Sequence, residues 1–213
     1  MVAHFTKQDS TTEIDVTDAS PPSSIKVATA AHESPAVDVI VLAFSTDPIA
    51  RWAWPDPQHY VAYFPSFVEA IGGKAFTHGS AYYAEGYAGA ALWLPPNIQS
   101  DDDELFDFLQ HTVSEPLQKD IFTIFRAIAS YHPNEPHWYL PLLGVDPYQQ
   151  NRGYGSALMH HTLAQCDRDK IPAYLESTNI KSIPFYERQG FEVLGAIQVE
   201  TSPPLFPMLR KPK

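Results

Sequence analysis

A single cysteine, Cys166, stands in the 213 residues. No intrachain disulfide can form, and a small secreted disulfide scaffold is excluded. Cations are scarce too: 14 Lys and Arg face 25 Asp and Glu, for a formal charge of -11. That balance excludes nonspecific nucleic-acid binding, which needs clustered cations on phosphate. It favours a small cationic partner. No apolar run reaches membrane-spanning length, and the first residues carry neither the basic stretch nor the apolar core of a signal peptide. No membrane partner is expected, and a reducing cytoplasm is the expected location. The nine histidines lack metal-ligand spacing. His160 and His161 are sequential, no His-Glu-x-x-His occurs, and no metal is expected.

What the chain has is apolar and aromatic residues, 44% and 13%, enough for a sizeable core. Residues 1–23 are rich in Ser, Thr, Asp and Pro without periodicity, and read as a flexible arm. Residues 24–213 read as one domain. Ile25 to Ala30 suits a short strand, and Ser34-Pro35 suits a capped helix start. Ile49 to Pro57 is an aromatic loop over a pocket or core edge. Tyr60 to Ile71 suits a helix that Pro65 must start or kink, closed by Gly72-Gly73. Ala75-Phe76 has strand character. Ala81 to Glu85 and Tyr87 to Leu94 form a hairpin. Two helices follow: one opened by Ser100 with Asp101 to Asp103 in its first turn, the other over Leu117 to Ile128.

The organising stretch runs from Trp138 to Cys166. Tyr139 to Val145 is a mostly apolar strand in which Pro141 forbids one ladder bond. Asp146-Pro147 stops it. Gly153 and Gly155 then bring the backbone close to something bulky as a helix begins. Leu158, Met159, Thr162, Leu163 and Cys166 share one face of that helix, which makes Cys166 a buried structural thiol. The helix's free first amides can hold phosphate oxygens beyond the strand's end. The spacing is not G-x-G-x-x-G, and no Gly-Lys-Ser/Thr follows, so neither a dinucleotide fold nor a phosphate-loop kinase is indicated.

Ala173 to Ser177 then reads as a strand, Ile183 to Gln189 as a helix and Phe191 to Glu200 as a strand. Leu205 to Leu209 reads as an edge strand whose prolines discourage pairing between copies. Hairpins first and βαβ later make a mixed α/β fold, one sheet flanked by helices.

Val145-Asp146-Pro147 followed by Gln150-Asn151-Arg152-Gly153-Tyr154-Gly155 resembles the acyl-CoA-binding segment of the Gcn5-related N-acetyltransferase (GNAT) superfamily. Gln150, Gly153 and Gly155 stand at its three signature positions. Leu175 to Asn179 and Pro184 to Phe191 are similar to the following strand and helix. The wording is also similar to antibiotic-inactivating members that modify puromycin. The resemblance implies a mostly antiparallel, splayed mixed sheet and acetyl-CoA as cofactor. It further implies direct acetyl transfer to the primary amine of a small molecule. Backbone groups of Leu143, Gly144 and Val145 would hold the pantetheine arm. Gln150, Asn151, Arg152, Gly153, Tyr154, Gly155 and Ser156 would wrap the diphosphate, with Asn179 on the cofactor side. For Arg152 the alternative is an exposed turn cation, and for Asn179 a turn residue.

Tyr186 stands where the family's tyrosine donates to the leaving thiolate; the alternative is packing on Phe185 and Phe191. Glu176, on the strand face shared with Tyr174, either binds and deprotonates the amine or is a structural acceptor. Trp52, Trp54, Tyr60 and Phe64 would face the acceptor, with Asp47, Asp56 or Asp101 receiving its charge; each aromatic has a core role as alternative. His59, His78 and His132 are loop or edge residues that would line a cleft. An acyl-CoA-binding module without catalysis, or an acetyltransferase of peptides, are the other functions open at this stage. The oligomeric state is not legible.

Overall fold

The computed structural model describes residues 24–213; the arm expected over residues 1–23 lies outside the described residues. One seven-stranded sheet runs in the order β1-β2-β3-β4-β5-β7-β6. Its strands are β1 (Ile25–Val27), β2 (Ala81–Ala84), β3 (Gly89–Leu94), β4 (Trp138–Val145), β5 (Ala173–Ser177), β6 (Glu192–Val193) and β7 (Phe206–Arg210). Only β4 and β5 pair in parallel; the other neighbours are antiparallel. The sheet is thus mixed, as the pattern of hairpins and crossover predicts, and mostly antiparallel, as the family resemblance implies.

Helices cover both faces. On one side α1 (Glu33–Ala43), α2 (Pro48–Ala53), α3 (Pro57–Gly72), α4 (Lys74–Thr77), α5 (Asp102–Thr112) and α6 (Glu115–Tyr131) enclose a core around Ile40, Phe64, Val68, Leu92 and Leu142. On the other side α7 (Tyr154–Asp169) and α8 (Ile183–Arg188) bury Trp93, Leu158, Met159, Leu175 and Met208. Cys166 belongs to this second core, wholly buried, and burial pushes its thiol up to about 12. A protonated, enclosed sulfur is a packing group.

Asp-Pro pairs set several boundaries that periodicity misplaces. Asp47 accepts from the amides of Ile49 and Ala50, with Pro48 at the first helical position, so the expected aromatic loop opens as α2. Asp56 and Pro57 open α3 in the same way, three residues ahead of Tyr60. Asp101, rather than Ser100, caps α5. Thr29 and His32 form a reciprocal cap before α1, so Ser34 lies inside the helix. Ala75 and Phe76 are helical in α4, because the backbone at Gly73 stays right-handed and the chain continues turning.

β4 carries the feature that shapes the site. Leu92 faces Leu142 and Leu94 faces Tyr139, so Leu140 and Pro141 together oppose Trp93. This is a bulge, where a proline's missing N–H is tolerated. It flips the side-chain parity: Leu140 packs into the α7 core, Leu142 into the opposite one. The parallel pairing with β5 covers only Trp138–Ala173 and Tyr139–Tyr174. Beyond the bulge the two strands part.

At the far edge, β7 lies between β5 and β6, which corrects the expected edge strand. Pro207 survives there because its carbonyl, and hence its absent amide, points to short β6: the Pro207 carbonyl accepts from Leu194 N at 2.8 Å. Its five register partners on β5 are kept. The strand expected over Phe191 to Glu200 reduces to Glu192–Val193 and an isolated bridge between Ile197 and Leu205.

Candidate active site

Two concavities lie at the parting of β4 and β5. The larger is a cleft of about 580 Å³. Leu143 and Val145 form one wall and Pro184, Phe185 and Tyr186 of α8 another. Strand alternation decides which backbone groups face it. The Asp146 amide bonds the Ala88 carbonyl at 3.0 Å, so Gly144, two residues earlier, also turns its amide and carbonyl toward β3. Leu143 and Val145 point the other way, and Val145 O accepts from Gln150 Nε2 at 3.4 Å. Gly144 therefore offers no backbone group to the cleft. Its role is packing: a Cβ there would lie 2.9 Å from Ala43 Cβ and 3.0 Å from Ile40 Cα.

The cleft's far end is the turn into α7. Asp146 holds the Tyr148 amide at 2.8 Å and starts a tight turn over Pro147–Gln149. Asn151 and Gly153 then take positive φ, 61° and 87°. Such a turn gathers successive amides into an anion nest. No side chain caps α7, so its first-turn amides stay free. Gly155 is the close approach that the glycine spacing predicts: a Cβ there would lie 3.3 Å from the Phe185 ring. Gln150, Asn151, Gly153, Tyr154, Gly155 and Ser156 all line the cleft. Replacing Gly153 by Ala forces a side chain into left-handed backbone and is expected to cost about 1–2 kcal/mol. A denaturant midpoint equal to that of the parent chain would disprove the strain.

Besides Gly144, two expected cofactor residues stand outside the lining. Arg152 Nη1 donates to Gln149 Oε1 at 3.0 Å on the exposed turn. Asn179 Oδ1 accepts from the Lys181 amide at 3.0 Å, capping a short turn over Ile180–Ser182. In their place the cleft gains Gln149, Lys181, Ser182 and Arg188. The two cations give an anionic ligand a local partner in an acidic protein. No periodic signal could announce them, because they come from the segment after β5 rather than from the glycine turn.

The second concavity, about 100 Å³, lies on the α1 side and is walled by apolar residues of α2, α3, α5 and α6. Trp52 and Trp54 line it, their indoles fixed by hydrogen bonds to Thr201 Oγ1 and Thr112 O, both at 3.2 Å. Tyr60 and Phe64 do not. They stack at 4.8 Å in the core behind it, 3% and 1% exposed, with Tyr60 OH donating to Val41 O. Their faces of α3 point at α1, which helical spacing alone does not distinguish from a cavity wall.

Glu176 and Thr178 bring polarity to this cavity from β5 and its end. The Glu176 side chain is 7% exposed, and its Oε2 accepts from Tyr139 OH at 2.9 Å. Burial, then the Glu176 charge, hold the Tyr139 and Tyr174 phenols above their ordinary range. Thr178 Oγ1 donates to Asp47 Oδ2 at 2.5 Å, and burial raises Asp47 above an ordinary aspartate. Burial first, and then the charge of Asp47, raises the Tyr186 phenol in the cleft. Tyr186 is therefore a protonated donor at ordinary pH, set edge-on to Phe185 at 5.1 Å and Phe191 at 6.1 Å.

Among the described residues, no group of three or more His, Cys, Asp or Glu is placed to hold a metal ion, and no helix is long and apolar enough to cross a membrane. The arrangement can hold an extended arm ending in a diphosphate on one side of the parted strands. On the other it offers an apolar cavity with a buried carboxylate.

Comparison with known proteins bears on the family and the fold. An uncharacterized N-acetyltransferase of Schizosaccharomyces pombe is 26% identical over 196 residues, covering 84% of this chain and 79% of that protein. The crystal structure of a histone acetyltransferase HPA2-related acetyltransferase from Corynebacterium glutamicum is similar with a TM-score of 0.63 and 26% identity, covering 91% and 97% of the two chains. Arylalkylamine N-acetyltransferase 2 of Aedes aegypti shares the fold at 14% identity and a TM-score of 0.63, over 89% of this chain and 99% of that one. The sequence profile of the acetyltransferase (GNAT) family spans residues 44–191, from the end of α1 to the residue after α8's closing turn, and so contains the whole lining of the larger cleft and all of the second cavity's lining but Leu205: the chain belongs to the GNAT family.

Proposed function

We propose that this protein transfers an acetyl group from acetyl-CoA to the primary amine of a small, cationic or aromatic molecule. The carrying observation is the parting of β4 and β5, with an amide-rich turn on one side and a buried carboxylate in an apolar cavity on the other. Acetyl-CoA, when bound, supplies the thioester whose acyl carbon the amine attacks. Leu143 and Val145 offer the pantetheine arm the backbone groups that strand alternation turns away from β3. The turn from Gln150 to Ser156 holds the diphosphate, with Lys181 and Arg188 as nearby cations. Glu176 receives the ammonium and takes its proton. Tyr186 donates to the departing sulfur.

Direct attack suits these residues, because the single cysteine is sealed in the core and cannot carry an acyl group. The cavity's walls also discriminate among amines. A monoamine seats its charge at Glu176 and its apolar body against Trp52, Ile124 and Phe125. A polyamine would drive a second cation against those walls, losing hydration worth several kcal/mol. With acetyl-CoA, 2-phenylethylamine is expected to be acetylated with a kcat/KM at least about 100-fold above that of spermidine, since 1.4 kcal/mol is a factor of ten. The screen includes puromycin, which the motif wording suggests, and a short peptide. Mass spectrometry reads the products and calorimetry the cofactor's affinity. Binding without transfer to any amine would replace this reading by a binding module; preference for the peptide would move it to protein substrates.

A further inference from the structure

The buried carboxylate has a second neighbour, on the side away from the cavity. Glu176 Oε1 receives no hydrogen bond, yet His132 Nε2 lies 3.4 Å from it. His132 Nδ1 is 3.2 Å from His137 Nε2, and His137 Nδ1 is 2.9 Å from the backbone carbonyl of Glu135. The carbonyl can only accept, so His137 carries its proton on Nδ1. Its Nε2 is then a bare lone pair, which requires the proton of His132 to sit on Nδ1. The Nε2 of neutral His132 is left facing a carboxylate oxygen, one acceptor opposite another. That gap is a seat for one more proton.

We propose that Glu176, His132 and His137 form a relay that draws the proton from the acceptor ammonium and passes it outward to solvent. The proposal rests on the amine-acetylating reading above. Exposure rises along the path: the side chain of Glu176 is 7% exposed, that of His132 28%, and Glu135 lies on the surface. A proton arriving at His132 Nε2 releases the one on Nδ1 to His137 Nε2, and His137 releases its Nδ1 proton to water beside Glu135. Burial, its largest influence, lowers His137 below an ordinary imidazole, which keeps the ring neutral and able to accept.

The stoichiometry gives such a relay one proton per turnover to carry. The ammonium loses one proton to Glu176, and the freed nitrogen forms its bond to the acyl carbon as the carbon–sulfur bond breaks. The nitrogen's next proton replaces the one Tyr186 lends to sulfur. Each ammonium consumed therefore yields amide, thiol and one proton that must leave a cavity walled mostly by apolar side chains. The other titratable groups facing the relay do not offer a path. Tyr139 from β4 and Tyr174 from β5 are phenols held protonated by burial and by Glu176. Tyr131 of α6 acts on Tyr174, and Asp102 of α5 acts on Tyr139. Asp47 is bound to Thr178 and two amides.

The test joins kinetics with a measurement that needs no turnover. His132→Ala is expected to lower kcat for an accepted amine about tenfold or more near neutral pH, with the loss shrinking as pH rises and the amine's KM little changed. Added imidazole should restore part of the rate. Nitrogen-15 imidazole spectra of the ligand-free parent chain should show His137 as the Nδ1–H tautomer, and Glu176→Gln should move the His132 signals. A His137 ring protonated on Nε2, or a parent-like pH profile in folded His132→Ala, overturns the relay while leaving acetyl transfer standing. A parent chain that acetylates no amine overturns the function itself and leaves the relay without a proton to carry.

Discussion

Glu176→Gln is expected to lower kcat/KM for a primary alkylamine about 100-fold or more near pH 7, and to lose progressively less as pH rises toward the amine's own pKa. The substitution isolates charge from shape. Glutamine keeps an acceptor for Tyr139 OH and offers its amide hydrogens to His132 Nε2, so the two contacts of the carboxylate survive. What vanishes is the anion that attracts the ammonium and accepts its proton. The variant must then wait for free amine, which at pH 7 is on the order of one molecule in a thousand for a pKa near that of lysine. Above pH 10 that scarcity ends, and the variant should approach the parent rate. Steady-state kinetics at intervals from pH 6.5 to 10 separates two roles: a deficit of constant size at every pH would make Glu176 a structural acceptor and remove it from proton transfer.

The sequence makes the cofactor end of the molecule easier to read than the acceptor end, for a physical reason. A diphosphate is held by backbone amides, and only a few residue types allow the backbone to present them. Gly153 at positive φ, Asn151 beside it and Gly155 against Phe185 are local necessities, visible in a window of six residues. The acceptor cavity depends on side chains far apart in the chain, such as Trp52, held by Thr201 149 residues on, and no window contains them. Spacing places Trp54 and Phe64 equally well inside a helix-bearing core. Only tertiary packing sends the first to the cavity and the second to α1. The same holds for His132, at the C-terminal cap of α6, and Glu176, on β5, which meet only in the folded chain. Gly144 shows the converse: it sits in the expected stretch, yet one step of strand alternation turns its polar groups to β3. For Asn179 the family resemblance implies a place on the cofactor side, while its residue type suits a turn equally well; its side chain caps the turn over Ile180–Ser182. The misplaced C-terminal strand has a third cause. Prolines suggest an edge, but a proline costs a sheet only the bond on one side, and here that side faces the two residues of β6.

Tyr186→Phe is expected to lower kcat about 100-fold while changing acetyl-CoA affinity less than about threefold. Removing one oxygen leaves the ring's contacts with Phe185 and Phe191, and hence the α8 wall of the cleft. It also removes a donor whose proton is secured twice over, first by burial and second by the charge of Asp47. A phenol so raised is a weaker acid than a thiol of ordinary pKa, about 8.5. It therefore cannot profitably protonate sulfur in a separate step. Its contribution is a hydrogen bond that strengthens as negative charge gathers on sulfur, completed when the amine nitrogen gives up its proton. That interaction exists in the transition state and hardly at all in the bound thioester, so its loss must fall on kcat rather than on binding. Stopped-flow turnover and calorimetric affinity, measured on the same preparation, decide the matter. If kcat is unchanged, sulfur leaves without help from this residue. If affinity collapses together with kcat, Tyr186 is a wall of the cleft and not a donor. A drop in kcat that is larger for an acyl-CoA with a poorer leaving thiolate would fix the donation at sulfur, because only there does leaving-group basicity set the size of the charge that the phenol meets.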